Sequence, residues 1–147
     1  MRSYEHSCGV IVFRQEEGKR VYLAVCSNGG AVGIPKGHRE GQETERETAL
    51  RELWEETGVR AELLDGFRVQ IEYPLPKKGP EVWKTVTFFA GRPLPGPIVR
   101  QEKEIAWARY LSFEELMPQI AYPTVADALR QAEEWLNQTE NEETVHG

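Results

Sequence analysis

The sequence predicts an α+β fold, a sheet covered by helices, on three observations. Apolar, β-branched runs bounded by turn signals lie on both sides of one clear helix, in the order strands, helix, strands, helix. Phe67, Val69, Ile71 and Tyr73 alternate with Arg68, Gln70 and Glu72, the period of a half-buried strand. Glu43 to Thr57 holds few helix-breaking residues and ends at Gly58, a natural helix stop.

The elements follow in chain order. His6 to Arg14 reads as a strand, Gln15 to Lys19 as a turn, and Arg20 to Ser27 as the hairpin partner. Asn28-Gly29-Gly30 breaks that strand, and a short strand around Ala31 to Ile34 runs into Pro35, which cannot donate to a ladder. After the helix and the alternating strand, Pro74 to Pro80 is a loop. Glu81 to Gly91 is a strand rich in β-branched and aromatic residues. Gly91 to Pro97 connects it to a strand from Glu104 to Leu111, and Ser112-Phe113-Glu114-Glu115 is a capping box that starts a short helix. Thr124 to Asn137 is a last helix, with Val125, Leu129, Ala132 and Leu136 on one stripe. No repeat or linker divides residues 1–147, which are expected to form a single domain with a frayed polar tail from Gln138 to Gly147.

Composition narrows the function classes. With 39% hydrophobic and 29% charged residues the chain reads as a soluble globular protein. A net charge of −6 carries no basic footprint for duplex nucleic acid, although a bound metal could reverse the charge locally for a polyanionic substrate. No apolar run approaches the roughly 20 residues that span a membrane. No signal-peptide core follows Met1-Arg2-Ser3, so a cytoplasmic location is expected. Cys8 and Cys26 lie in apolar runs and are expected to be buried free thiols in strands.

The chemistry concentrates on the helix. Glu52, Glu55 and Glu56 share a sector of about 100°, while Ala49, Leu50, Leu53 and Trp54 form a face that can dock on the sheet. Three carboxylates at this spacing repel one another, and a hard divalent cation such as Mg²⁺ would relieve that. A solvated acidic face is the structural alternative. The preceding loop, Gly33-Ile34-Pro35-Lys36-Gly37-His38, adds backbone that can approach a ligand closely. In that loop Lys36 supplies a positive charge for phosphate, and Gly37 could offer its carbonyl to a metal.

Gly37, Glu43, Arg51, Glu52, Leu53, Glu55, Glu56, Gly58 and Val59 meet every spacing of G-x5-E-x7-R-E-U-x-E-E-x-G-U, where U is a bulky apolar residue. In this the chain resembles the Nudix hydrolases, and the flanking pattern extends the resemblance over most of its length. The resemblance implies an α/β/α sandwich around a central mixed β-sheet flanked by helices. It also implies hydrolysis of a pyrophosphate bond, with one to three Mg²⁺ or Mn²⁺ ions held by Glu52, Glu55 and Glu56 and assisted by the Gly37 carbonyl. Glu43 and Arg51 would be a supporting ion pair. The general base varies in this family, leaving Glu52 and Glu104 as candidates, the latter also as a ligand.

Four stretches resemble the asymmetric diadenosine tetraphosphate hydrolases: Pro35-Lys36-Gly37-His38, Gly66-Phe67-Arg68 running to Tyr73, Lys84-Thr85-Val86, and Tyr122. By that resemblance Tyr73 and Tyr122 stack on an adenine, Lys36 and Lys84 contact phosphates, and His38 lies near the phosphate chain. Read bare, the tyrosines are equally core or rim aromatics and Lys84 a solvated side chain. Two departures from the family stand out: Glu40-Gly41-Gln42 before Glu43 holds no proline, and Ala31-Val32-Gly33 before Pro35-Lys36-Gly37 holds no tryptophan. The expected partner is a small nucleoside polyphosphate, with a monomer favoured. An RNA 5′-triphosphate end, a nucleoside triphosphate or a diphosphoinositol phosphate are alternative substrates, and a non-catalytic nucleotide-binding module is the alternative class. Trp83 and Trp107 are expected in the core or an interface.

Overall fold

Seven consecutive buried residues, Ser7 to Phe13, explain why the first strand is central: a strand covered on both faces needs apolar side chains throughout rather than alternation. In the computed structural model, which describes residues 1–140 in full and 141–146 by backbone, this strand is β1 (Ser3–Glu16). The other strands are β2 (Lys19–Ser27), β3 (Val32–Gly33), β4 (Lys36–His38), β5 (Ala61–Pro74), β6 (Val82–Pro93) and β7 (Ile105–Ser112). They form one seven-stranded mixed sheet in the order β3-β2-β1-β6-β5, with β4 on β1 and β7 on β2. β1 and β6 run parallel from Ser3↔Val82 to Val12↔Gly91. The other paired strands are antiparallel.

A split in this sheet makes room for the site. β1 and β2 pair only from Phe13↔Tyr22 to Glu16↔Lys19. Beyond that they diverge, β3 closing on Val25 and Cys26 of β2 while β4 closes on Ser7 to Gly9 of β1. Pro35 stands between β3 and β4, where a residue without an N–H ends one ladder before the next begins. Lys36-Gly37-His38, expected as loop, is therefore a short strand in register with Gly9, Cys8 and Ser7.

Helix α1 (Glu45–Thr57) starts two residues later than the sequence suggested. Thr44 is the cap: its hydroxyl accepts from the Glu47 N–H at 3.1 Å, and the Thr44 N–H donates to the Glu47 carboxylate at 2.9 Å. Gly58, at φ 69°, ends the helix and donates its N–H to the Trp54 carbonyl. Thr48, Ala49, Leu53 and Thr57 form the buried face, against Cys8, Val10, Val12 and Phe89. Trp54, expected in that face, is exposed under the Arg60 guanidinium. The other face of the sheet is covered by α3 (Pro123–His146), with Val125, Ala128, Leu129, Ala132 and Leu136 buried on Ile11, Phe13, Tyr22 and Phe88. The short α2 (Phe113–Leu116) carries the expected capping box from Ser112.

The structure thus has helices on both faces of a mixed sheet. β5 begins earlier than expected, because a register break between Leu63 and Arg68 hides its first half from a period-2 reading. Residues 138–140, expected in a frayed tail, continue α3, and the side chains of 141–147 lie outside the described residues. Both cysteines are buried and free. Trp83 lies under the Arg2 guanidinium and Trp107 under that of Arg109. Among the described residues no helix is long and apolar enough to cross a membrane.

Candidate active site

Because Glu43 precedes the Thr44 cap, its carboxylate is free to turn back along α1. It accepts from Arg51 Nε at 2.6 Å and Nη2 at 3.0 Å. Arg51 also donates to Glu52 at 2.9 Å, to Glu55 at 3.0 Å and to the His38 carbonyl at 2.8 Å. One guanidinium thus ties the end of β4 to three carboxylates of the signature, the planar fork supplying what a lysine could not. Arg51, with the Glu40 backbone N–H, holds Glu43 at about 2, well below the ordinary carboxylate range. This pair stabilises the fold fully above about 4.5 and loses its contribution as pH falls toward 2. Glu43→Gln is expected to lower the Tm at pH 6, with the gap to wild type closing as a Tm series is taken down to pH 2.

Glu52 and Glu56 instead lie against β4, Glu52 over Gly37 and Glu56 beside Lys36. The Glu52 carboxylate occupies the space a Cβ on Gly37 would fill. Burial pushes Glu52 up, partly offset by Arg51. Burial pushes Glu56 further, to about 8, against the pull of Lys36. Lys36 is itself partly buried and held below its ordinary value by desolvation, with Glu56 and Glu52 opposing. A cavity of about 120 Å³ brings Lys36, Glu56, Ile34, Ile105, Tyr122 and Val125 together. Glu104 stands just before β7, its carbonyl accepting from the Asn28 N–H at 2.8 Å, and its charge also raises Glu56.

Of the remaining residues singled out in the sequence, Tyr122 lines this cavity, Tyr73 stacks on Tyr122, and Lys84 and His38 lie within reach of the Lys36 charge. Lys84, on β6, is lowered to about 8 by burial and by the nearby charge of Lys36. His38 Nε2 lies 3.3 Å from Glu5, which also accepts from Lys78 at 2.8 Å. Glu5 lies just before the strand that the sequence predicts from His6. Its clue was the alternation that puts Glu5 on the same face as Ile11 and Phe13. Tyr73 is 5% exposed and Tyr122 38% exposed. The two rings stack on each other, centroids 4.0 Å apart and 13° from parallel, so the gap expected between them is closed.

The donors fit a hard divalent cation. Glu52, Glu55, Glu56, Glu104 and the Gly37 carbonyl offer only oxygen, the ligand type Mg²⁺ takes. Two of the carboxylates are pushed upward by burial, and the same burial lowers the lysine beside them. Arg51 and Lys36 offset only part of this acidic charge, and a divalent ion would offset more.

Comparison with known proteins identifies the family and the fold. The NUDIX domain family model matches residues 4–136. The chain is 29% identical over 145 residues to the asymmetrical bis(5′-nucleosyl)-tetraphosphatase of Rattus norvegicus, covering 90% of this chain and 96% of that protein. It is 38% identical over 100 residues to the mutator-type protein MutT4 of Mycobacterium tuberculosis, where the match spans 68% of this chain but only 39% of the relative. The fold is similar to that of an Ap4A hydrolase from C. elegans in a binary complex, with a TM-score of 0.81, 19% identity, and coverage of 91% and 98% of the two chains. The chain therefore belongs to the NUDIX domain family and is a hydrolase of nucleotide pyrophosphate substrates.

Proposed function

We propose that this hydrolase cleaves diadenosine tetraphosphate asymmetrically to ATP and AMP. The observation that carries the reading is the Tyr73–Tyr122 pair at the rim of the cavity that holds Lys36 and Glu56. The likeness to the rat tetraphosphatase along nearly its whole length supports it. Buried Tyr73 is a fixed platform, and Tyr122, exposed and next to Pro123, is the ring that must swing aside for a base to take its place.

Nudix hydrolases depend in general on divalent metal. Here Glu52, Glu55, Glu56, Glu104 and the Gly37 carbonyl would hold Mg²⁺, or Mn²⁺ in its place. Such an ion lowers the pKa of bound water and shields phosphate charge. The chain's own residues do the rest. Lys36 and Lys84 face the phosphates, and the partly buried Lys84 holds its proton more firmly when an anion arrives beside it. Arg51 holds Glu52 in place. Water adds to phosphorus, the bond to the bridging oxygen breaks, and the water's proton passes to Glu52 or Glu104. Comparing the pH–rate profiles of Glu52→Gln and Glu104→Gln separates these two bases.

The test is product identification after incubation with Mg²⁺ and a panel of diadenosine tetraphosphate, ADP-ribose, nucleoside triphosphates, diphosphoinositol phosphate and 5′-triphosphate RNA. ATP plus AMP formed fastest supports the proposal; preferred turnover of another member replaces the substrate and leaves the family chemistry standing. Tyr122→Ala is expected to raise KM for diadenosine tetraphosphate by about 10-fold or more, from about 1–3 kcal/mol of base stacking, with kcat little changed. An unchanged KM would remove the aromatic pair from the binding site.

A further inference from the structure

Outside the acidic cleft, one cluster combines three different ligand chemistries. His6 and Cys8 lie on the α1 face of β1, and Glu45 is in the first turn of α1. Cys8 Sγ is 3.6 Å from His6 Nε2, Nε2 is 3.1 Å from Glu45 Oε2, and the three atoms lie within 4.8 Å of one another. Zinc bonds of about 2.0–2.1 Å to nitrogen and oxygen and about 2.3 Å to sulfur give tetrahedral ligand separations of about 3.3–3.8 Å. The cluster is already near that spacing.

The hydrogen bonds around the cluster give it a cation's shape. Thr85 Oγ1 lies 3.4 Å from the Glu5 carbonyl, to which its hydroxyl donates, and 2.7 Å from His6 Nδ1, from which it accepts. With one ring proton, that assignment puts it on Nδ1 and leaves Nε2 as an acceptor facing a carboxylate, itself an acceptor. A positive centre between them, a metal ion or a proton on Nε2, resolves the conflict. The Glu45 carboxylate is aimed by outer partners: Arg68 donates to Oε1 at 2.8 Å and Thr87 to Oε2 at 3.0 Å. His6 and Glu45 side chains are each about one-third exposed, so solvent can reach the ion and supply a fourth ligand.

We infer that His6 Nε2, Cys8 Sγ and Glu45 Oε2 form a second metal site, selective for a zinc-class ion and distinct from the all-oxygen cleft. Thiolate and imidazole select zinc or cobalt over magnesium, whereas the cleft's carboxylates select magnesium. An ion here pins the first turn of α1 to β1. Cys8 pairs in register with Gly37, and Glu45 follows Glu43 by two residues, so the ion braces the frame from which the cleft is built. The inference does not depend on which nucleotide is the substrate.

Cobalt provides the test. The purified protein, kept in excess Mg²⁺ to fill the cleft and reduced to keep its thiols free, is titrated with Co²⁺ while the near-ultraviolet thiolate-to-cobalt charge-transfer band is followed. The expected result is a band saturating at one equivalent and bleached by Zn²⁺. It should be absent in Cys8→Ser and retained in Cys26→Ser and in Glu56→Gln. Should Cys8→Ser fail to fold, His6→Asn and Glu45→Gln carry the test, each weakening Co²⁺ binding by about 10-fold or more. Absence of the band in wild type, its loss in Cys26→Ser alone, or Co²⁺ affinity unchanged in both His6→Asn and Glu45→Gln would overturn the site.

Discussion

Glu56→Gln is expected to cut kcat/KM on the order of 10²–10³-fold or more while making the metal-free protein more stable at alkaline pH. Both effects come from one side chain placed where a bare carboxylate does not want to ionise. Burial holds Glu56 at about 8. Between the ordinary value of 4.5 and about 8 the folded chain keeps a proton the unfolded chain has released, so without metal, stability falls as pH rises through that window. The full interval corresponds to at most about 5 kcal/mol, and relaxation and water entry reduce it. Glutamine cannot ionise and should remove this slope, so Tm measured in a chelator from pH 5 to 9 should be flatter for the variant. Glutamine also replaces an anionic ligand by a neutral one, which is why activity is lost. A variant that keeps wild-type turnover would take Glu56 out of the metal set. One that loses stability at pH 9 would show that burial does not strain the carboxylate.

The parts of the site legible in the sequence are those written by local spacing. Gly37 to Val59 is one strand, one cap and one helix, so the positions of Glu43, Arg51, Glu52, Glu55 and Glu56 follow from short-range geometry. The helix start is not legible in the sequence because Glu43 is as good a helix former as its neighbours. Only the reciprocal bonds of Thr44 and Glu47 show where the cap lies. Contacts across the sheet were less visible. Glu5 meets His38 and Lys78 across β1, β4 and the loop after β5, a meeting that depends on parallel pairing with β6 and on the divergence of β1 from β2. Tyr73 and Tyr122 were singled out separately. That they stack on each other depends on how the segment before α3 returns over β5, which no periodicity records. His6, Cys8 and Glu45 drew no attention as a group because a strand and a helix 37 residues apart bring them together.

Gly37→Ala is expected to lower kcat/KM by about 100-fold with a stability change under about 1 kcal/mol. Gly37 lies in β4, and its backbone needs no left-handed conformation, so a methyl group imposes no strain of its own. The methyl would instead enter the space of the Glu52 carboxylate. That carboxylate ends a flexible side chain and can rotate away, at the cost of its bond from Arg51 and of its aim into the cleft. Folding should therefore survive while the arrangement of the acids does not. Gly9→Ala is the contrasting substitution, since its methyl meets the Pro35 carbonyl, Lys36 Cβ and the Phe88 ring. Backbone cannot rotate aside, so this variant should lose about 1–3 kcal/mol in denaturant unfolding. If Gly37→Ala were destabilised as much as Gly9→Ala, the glycine would serve folding. If its activity were unchanged, the Glu52 carboxylate would not need the place it holds. Activity lost with stability kept would mean that the signature glycine is there to leave room for a carboxylate.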